Sequence, residues 1–345
     1  MKIKIRKLLK SILIVLILLL VLLCVWWLLP ARTPDIKSDQ NTSIAKIEFI
    51  KIGGIEQCIL TRSHNLNNPI MLFLHGGPGM PMMYLAHEFQ RPLEENFTVV
   101  QWDRRGAGKT YTRNKSSIED MNVRRIIDDT YALIDTLLNR YNRDKIILVG
   151  HSFGTYLGSI ISSERPDLIE AYISIGQVVD DERASILQEE FIRGEAIKNN
   201  REDILSALDQ PKKPDFESWL FEFGAELKES KSFFPLVWSG MKAPEYTLSE
   251  AMAVGKGSSF SSTNMKYNVL SESIFSEIKE YEMPVYFFIG KYDYTTPFQL
   301  VAEYHDSIKA PHKELIYFEN SAHFPFFEEP DKFCDEIKRI PVNEN

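Results

Sequence analysis

The feature that most restricts how this chain can fold is a serine between glycines, Gly150-His151-Ser152-Phe153-Gly154, directly after the β-prone run Lys145 to Val149 (KIILV). A serine that attacks a carbonyl must stand exposed at the end of a strand, on a turn so tight that its neighbours crowd the backbone. Glycines two residues before and two after it relieve that crowding. The pentapeptide is short and degenerate, so its context carries the meaning: a strand before it and a helix expected after it. A purely structural strand-to-helix turn is the competing reading.

The elements around this turn repeat a pattern. Two β-like stretches, Ile44 to Ile52 and Ile55 to Thr61, flank Gly53-Gly54, which reads as a hairpin turn. Short apolar runs follow at Pro69 to Leu74 and Phe97 to Trp102, then a helical pattern from Val123 to Tyr141 with Ile126, Ile127, Leu133, Ile134, Leu137 and Leu138 on one face. After Ser152 a helix is expected to end near Pro166, followed by a strand at Ala171 to Ile175. Apolar strands alternating with helices predict an α/β class fold whose parallel sheet is buried on both faces. Residues 180–281 break the pattern: they are charged, aromatic-rich and without a clear strand, and read as an inserted, mainly helical lid. The sheet resumes at Pro284 to Ile289, followed by a helix near Phe298 to Ile308, a strand at Glu314 to Phe318 and a last helix after Pro330. Residues 44–179 and 282–345 are thus expected to form one core around the lid.

The N-terminus is a separate object. Residues 1–10 carry Lys2, Lys4, Arg6, Lys7 and Lys10 and no acid, and residues 11–29 are apolar after Ser11. Nineteen residues at about 1.5 Å each roughly match a bilayer core of about 30 Å. The basic flank predicts a cytoplasmic N-terminus, Trp26 and Trp27 suit the far interface, and the catalytic domain would then face outward. A cleaved signal peptide is the alternative, but LLPARTP offers no clear small-x-small cleavage site, and Leu22 and Leu23 before Cys24 are wrong for a lipidated cysteine. Residues 30–43 read as a short linker. Five of the 40 Lys and Arg lie in the basic flank, so about 35 face 48 Asp and Glu in the remainder. That balance argues against a nucleic-acid partner or an anionic membrane surface. Cys58 and Cys334, alone outside the anchor, make neither a disulfide framework nor a metal site. Asn-x-Ser/Thr triplets at Asn41, Asn96 and Asn114 arise easily by chance.

Ser152 needs a base, and the base needs an orienting acid. Where a serine sits on such an elbow, the order along the chain is serine, acid, histidine. Three histidines follow Ser152: His305 within a helical pattern, His312 in a polar turn, and His323 in a loop after the last strand. His323 is the best placed base. Asp293 follows the strand PVYFFIG directly, which puts it at the same end of the sheet as Ser152, whereas Asp306 and Asp331 read as solvated charges. The developing oxyanion requires two backbone N–H donors. Phe153, after the nucleophile, supplies one; Gly77 in His75-Gly76-Gly77-Pro78-Gly79 is expected to supply the other, with Gly76 in reserve.

Taken in order, His75-Gly76-Gly77-Pro78-Gly79, Asp103-Arg104-Arg105-Gly106-Ala107-Gly108, the Ser152 elbow, Asp293 and His323 resemble the proline iminopeptidase family of the α/β-hydrolase superfamily. The resemblance spans roughly Ile44 to Ile340 and is carried by the two flanks. It implies an α/β-hydrolase fold, removal of an N-terminal residue, often proline, from short peptides, and no metal or cofactor. It implies Ser152 as nucleophile, His323 as general base, Asp293 as its partner and Gly77 with Phe153 as the oxyanion hole. Asp103 and Arg105 would be structural. The family holds the substrate's free amine with lid glutamates near a Trp-Glu pair. Here Trp219 and Trp238 are followed by leucine and serine, and Glu222, Glu226 and Glu245 are the nearby carboxylates able to serve. Phe153 stands where tryptophan is common in the family. An epoxide hydrolase or haloalkane dehalogenase would carry aspartate in place of Ser152. A carboxylesterase or lipase is the nearest rival, since the same triad cleaves esters; an inactive hydrolase-fold binding module is the reading from another class.

Overall fold

The computed structural model describes the chain except residues 1, 38–41, 115–117, 119, 212–215, 268–269, 271–272 and 343–345. Asn41 and the middle of the expected linker lie outside the described residues. Helix α1 (Lys2–Leu28) precedes the domain, and its apolar stretch packs almost nothing against it. The domain then runs β1 (Ile44–Ile52), β2 (Ile55–Ser63), β3 (Ile70–Leu74), α2 (Ala86–Phe89), β4 (Thr98–Asp103), α3 (Gly108–Asn114), α4 (Val123–Tyr141), β5 (Ile146–His151), α5 (Phe153–Glu164) and β6 (Ile169–Ile175). Among the described residues six helices follow: α6 (Asp181–Lys198), α7 (Glu202–Leu208), α8 (Glu217–Glu222), α9 (Phe234–Met241), α10 (Leu248–Asn264) and α11 (Ile274–Glu277). The sheet resumes with β7 (Val285–Gly290), α12 (Phe298–Ser307), β8 (Lys313–Phe318), α13 (Pro325–Glu328) and α14 (Pro330–Lys338).

The eight strands form one sheet in the order β1-β2-β4-β3-β5-β6-β7-β8. The β1–β2 hairpin, turned at Gly53 and Gly54 with φ of 56° and 87°, meets β4 antiparallel; the rest of the sheet is parallel. The apolar runs are continuous because both faces are covered. On β5, Ile146 and Leu148 enter one core while Ile147 and Val149 enter the other, and β3 and β7 divide in the same way. Each fully buried aliphatic side chain in such a strand stabilises by about 1.5–3 kcal/mol. That explains why alternation is absent from the sequence.

Helix α4 occupies the span its periodicity predicts. Asn122 caps it, accepting from the Arg125 N–H at 2.8 Å, and Asn142 closes it in the left-handed region at φ 50°. The six helices between β6 and β7 include a small core of their own, Ile192, Ala196, Ile204, Leu208, Leu220 and Ala225. The longest internal helix of this group after α6, α10, opens with a capping box of Thr247 and Glu250. Residues 32–34 are no free tether: the Arg32 N–H donates to Pro244 O at 2.8 Å, and Arg62 donates to Thr33 Oγ1 and Pro34 O.

Candidate active site

The end of central strand β5 builds the site. Ser152 adopts φ 52° and ψ −123°, a conformation that side chains rarely accept, between the last residue of β5 and the first of α5. Its N–H donates to Ile175 O at 2.9 Å, and its carbonyl accepts from the Thr155 N–H and hydroxyl, each at 2.7 Å. The flanking glycines are steric necessities. A Cβ on Gly150 would stand 2.6 Å from Gly154 O, and one on Gly154 would stand 2.0 Å from Leu74 O. Both obstacles are backbone. Gly154→Ala is therefore expected to destabilise the chain by about 3 kcal/mol or more, read as a lowered midpoint of chemical denaturation; a midpoint equal to wild type would show that the elbow is looser than its geometry.

The structure brings His323 and Asp293 together. His323 Nδ1 lies 2.8 Å from Asp293 Oδ2, both residues buried. A carboxylate only accepts, so Nδ1 carries the proton and Nε2 is left to serve a neighbour. Asp293 is itself held: the Thr296 N–H donates to Oδ1 and the Thr296 hydroxyl to Oδ2, each at 2.9 Å. Burial disfavours the charged ring, but the Asp293 carboxylate and the nearby Glu226 outweigh it and push His323 up to about 9. The neighbouring loops are locked to each other as well. The His323 N–H donates to Glu226 O at 3.1 Å, and His151, next to Ser152, puts Nε2 2.9 Å from His323 O. His151 is held well below its usual range by burial and by His323, so it stays neutral. Its role as a strut between the serine and histidine loops is invisible in the sequence, where it fills an unconstrained position of the motif.

Gly76 and Gly77 line the same cavity as Ser152 and His323. Gly77 has φ 110°, and a Cβ there would lie 2.3 Å from Gly79 N. Phe153 opens α5, so its N–H belongs to the first turn, whose N–H groups have no partner within the helix. The guanidinium of Arg104 braces this loop from behind. It is fully buried, donates to Pro78 O at 3.0 Å, approaches His75 Nδ1 at 3.1 Å, and stacks 5.4 Å from the Phe153 ring centre. Burial lowers it to about 9. The sequence singled out its neighbours. Asp103 accepts from the Lys109 N–H and the Tyr246 hydroxyl, both at 2.7 Å, while Arg105 pairs with Asp129 at 3.0 Å.

Of Glu222, Glu226 and Glu245, Glu226 alone reaches the cavity. Glu226 lines it, buried, and accepts a hydrogen bond from the Thr295 hydroxyl. Burial pushes Glu226 up to about 7, against the pull of His323 and Thr295. Glu222 is instead paired with Arg201 away from the cavity lining. Glu245 is buried elsewhere, bonded to Arg91 at 2.8 Å and to the Thr33 hydroxyl at 3.0 Å. Those two assignments are corrected: a carboxylate near a lid tryptophan in sequence can face either way, and here arginines claim both. Glu182, Glu189 and Glu217, on α6 and α8, join Glu226 in lining a cavity of about 1200 Å³ that is otherwise largely apolar. A smaller cavity of about 750 Å³ meets it at Gly77 and Ser152 and is lined by Tyr156, Asp181 and Tyr267 among others.

Comparison with known proteins agrees with this geometry. Residues 69–330 match the family model described as the alpha/beta hydrolase fold. The chain is 30% identical over 311 residues to a probable aminopeptidase, YbaC, of Bacillus subtilis, covering 87% of this chain and 97% of that one. It is 22% identical over 289 residues to a proline iminopeptidase of Heyndrickxia coagulans, covering 83% of this chain and 94% of the relative. Among solved structures, a proline iminopeptidase of Mycobacterium smegmatis superposes with a TM-score of 0.60 at 16% identity, over 85% of this chain and 96% of that one. A strained serine at the end of the central strand, a histidine–aspartate pair from later loops and a sequence match over most of the domain converge: the chain belongs to the α/β-hydrolase fold family, with aminopeptidases and proline iminopeptidases among its relatives.

Proposed function

We propose that this protein is a serine aminopeptidase that removes an apolar N-terminal residue, proline included, from short peptides. The observation that carries the reading is Glu226, a buried carboxylate in the cavity that also holds Ser152 and His323. A buried carboxylate is stable only with a partner, and a substrate ammonium group is the partner this chemistry invites. The similarity to a probable aminopeptidase and to a proline iminopeptidase supports the same substrate class.

In this mechanism Ser152 Oγ attacks the carbonyl carbon of the first residue while His323 Nε2 takes the hydroxyl proton. The N–H groups of Gly77 and Phe153 stabilise the oxyanion, with Gly76 as the alternative donor. The tetrahedral intermediate collapses, the C–N bond breaks, and His323 returns the proton to the leaving amine. Water, activated by the same ring, then hydrolyses the acyl-enzyme. The helix α1 anchors the domain to a membrane, its basic flank on the cytoplasmic side and the catalytic domain outside.

Glu226→Gln tests the reading. The substitution keeps the shape and removes the charge, so kcat/KM for free-amine aminoacyl amides should fall about 100-fold, about 2.7 kcal/mol. Activity on N-blocked amides or small esters should change little at alkaline pH. The pH profile adds a sign. His323 must be neutral to act as base, so wild-type activity rises with pH toward about 9. Glu226 is one of the charges that raise His323, so in Glu226→Gln this limb moves to lower pH. Equal losses on free and blocked substrates would remove the amine-binding role.

One observation favours a second reading, a carboxylesterase. The cavity wall is rich in apolar side chains, including Met80, Tyr84, Leu220, Phe233 and Val254, as an acyl chain would require. Turnover of short acyl esters alone, across a panel that includes prolyl and other aminoacyl amides, would favour it.

A further inference from the structure

The six helices between β6 and β7 carry an apolar surface that the reaction does not use. On α9, Phe234 and Trp238 are 66% and 53% exposed, stacked with ring centres 6.3 Å apart. Met252 on α10 is 58% exposed. Beside that face, Phe233 at the start of α9 and Val237 line the cavity. One short helix therefore borders the active-site cavity along one flank and shows an exposed aromatic face to the outside.

The position of that face relative to α1 says what covers it. Helix α1 ends at Leu28, and only four residues later the Arg32 N–H is bonded to Pro244 O in the turn between α9 and α10. Four residues span at most about 14 Å. The attachment is fastened further: Thr33 reaches Glu245, which is buried against Arg91, while Arg62 donates to both Thr33 and Pro34 and pairs with Glu94 at 2.7 Å. Helix α1 also comes near α10, and α10 lies beside α9. The apolar helix and the apolar face of α9 are thus tied to one corner of the domain by a part-buried polar clasp.

We infer that the α9–α10 face lies on the lipid surface of the membrane that holds α1, with Phe234 and Trp238 at headgroup depth and the active-site cavity behind them opening close to the bilayer. The inference rests on the reading of α1 as a membrane helix. Trp is suited to that depth because its ring is apolar and its N–H finds water or headgroups. An interfacial helix of this kind sinks about 5–10 Å into the boundary. Lys231 and Lys242, exposed on either side of α9, reach the aqueous phase while their stems stay low. The consequence is a preference for substrates that partition into membranes, such as peptides or esters bearing an acyl chain, over equally reactive soluble ones.

The test uses the full chain in vesicles of phosphatidylcholine and phosphatidylglycerol. Cys24→Ser removes the exposed thiol, and Cys58 and Cys334 are buried. A nitroxide is placed in turn through Phe234→Cys, Trp238→Cys and, as an aqueous reference on α12, Asp306→Cys. Labels at the first two positions should be relaxed more by oxygen than by a water-soluble nickel complex, with the reverse at the third. Flotation of the same samples with the vesicles checks the anchor, and turnover of a soluble substrate checks the hydrolase. Chain that floats and turns over while the α9 labels read water overturns the inference and leaves both other readings standing. Chain that fails to float overturns the anchor and the inference together. Labels shielded from both reagents and broadened by one another would mean a second copy covers the face, which also overturns it. A Phe234→Ser, Trp238→Ser double variant should lose about tenfold on a bilayer-held acyl amide and keep its rate on a soluble one; equal losses would count against the lipid contact.

Discussion

Ser152→Ala should lower kcat by about a million-fold, leaving only the rate that the cavity and its N–H donors sustain without a nucleophile. The loss is expected to be this large because the attacking atom is removed while the elbow stays in place. The Ser152 backbone is fixed by the Ile175 carbonyl on one side and by Thr155 on the other, and neither bond involves the hydroxyl. The alanine variant should therefore unfold at the same denaturant concentration as wild type. Ser152→Gly is the sharper companion. At φ 52° and ψ −123° a side chain costs about 1–3 kcal/mol, whereas glycine costs about 0.5–1 kcal/mol in lost chain entropy. The glycine variant should be as inactive as alanine and about 1 kcal/mol more stable. An enzyme that retains a tenth of its activity in either variant does not use Ser152 as nucleophile. A glycine variant less stable than alanine would mean that the elbow stores no strain.

The contrast between what the sequence disclosed and what it hid follows from how far each interaction reaches along the chain. Ser152, Asp293 and His323 are legible because each follows a strand at the one end of a parallel sheet where loops can meet; β5 and β7 are buried and apolar, and β8 is a half-buried edge strand. Helix α4 was readable to its ends because apolar periodicity and a capping Asn122 act within a few residues. The strand ends differ by one or two positions: β2 runs to Ser63 and β6 begins at Ile169, since pairing with β1 and β5 extends strands beyond their apolar runs. The T-x-x-E box at Thr247 marks the start of α10, a local signal set among the many charges of that region. Lid carboxylates were the hardest to sort. Glu222, Glu226 and Glu245 look alike in sequence, and their fates are set by Arg201, Thr295 and Arg91, the first 21 residues away, the others 69 and 154. Arg104 and His151 are not legible in the sequence because their work lies in bracing one loop against another, across long stretches of chain.

Asp293→Asn should lower kcat by about ten-thousand-fold with little loss of stability, and the reason is a proton on the wrong nitrogen. The Thr296 N–H donates to Oδ1, so that position must remain an oxygen acceptor. The amide of asparagine is then forced to place its NH2 where Oδ2 stood, 2.8 Å from His323 Nδ1 and 2.9 Å from the Thr296 hydroxyl. An NH2 group donates, so Nδ1 must accept, and the ring proton moves to Nε2. The nitrogen that should take the proton of Ser152 is then already occupied. The same change removes the largest influence that raises His323 from its usual value toward about 9, so the residual activity should reach its plateau at lower pH than in wild type. Two measurements separate the tautomer from simple loss of charge. The 15N shifts of His323 should exchange their pyrrole-like and pyridine-like assignments between wild type and variant at a pH where the ring is neutral in both. Adding Asp293→Asn to Ser152→Ala should cost no further activity, since both act on one proton transfer. A variant within tenfold of wild type, with unexchanged 15N shifts, would show that His323 is oriented by its backbone bond to Glu226 and by the His151 strut without help from Asp293.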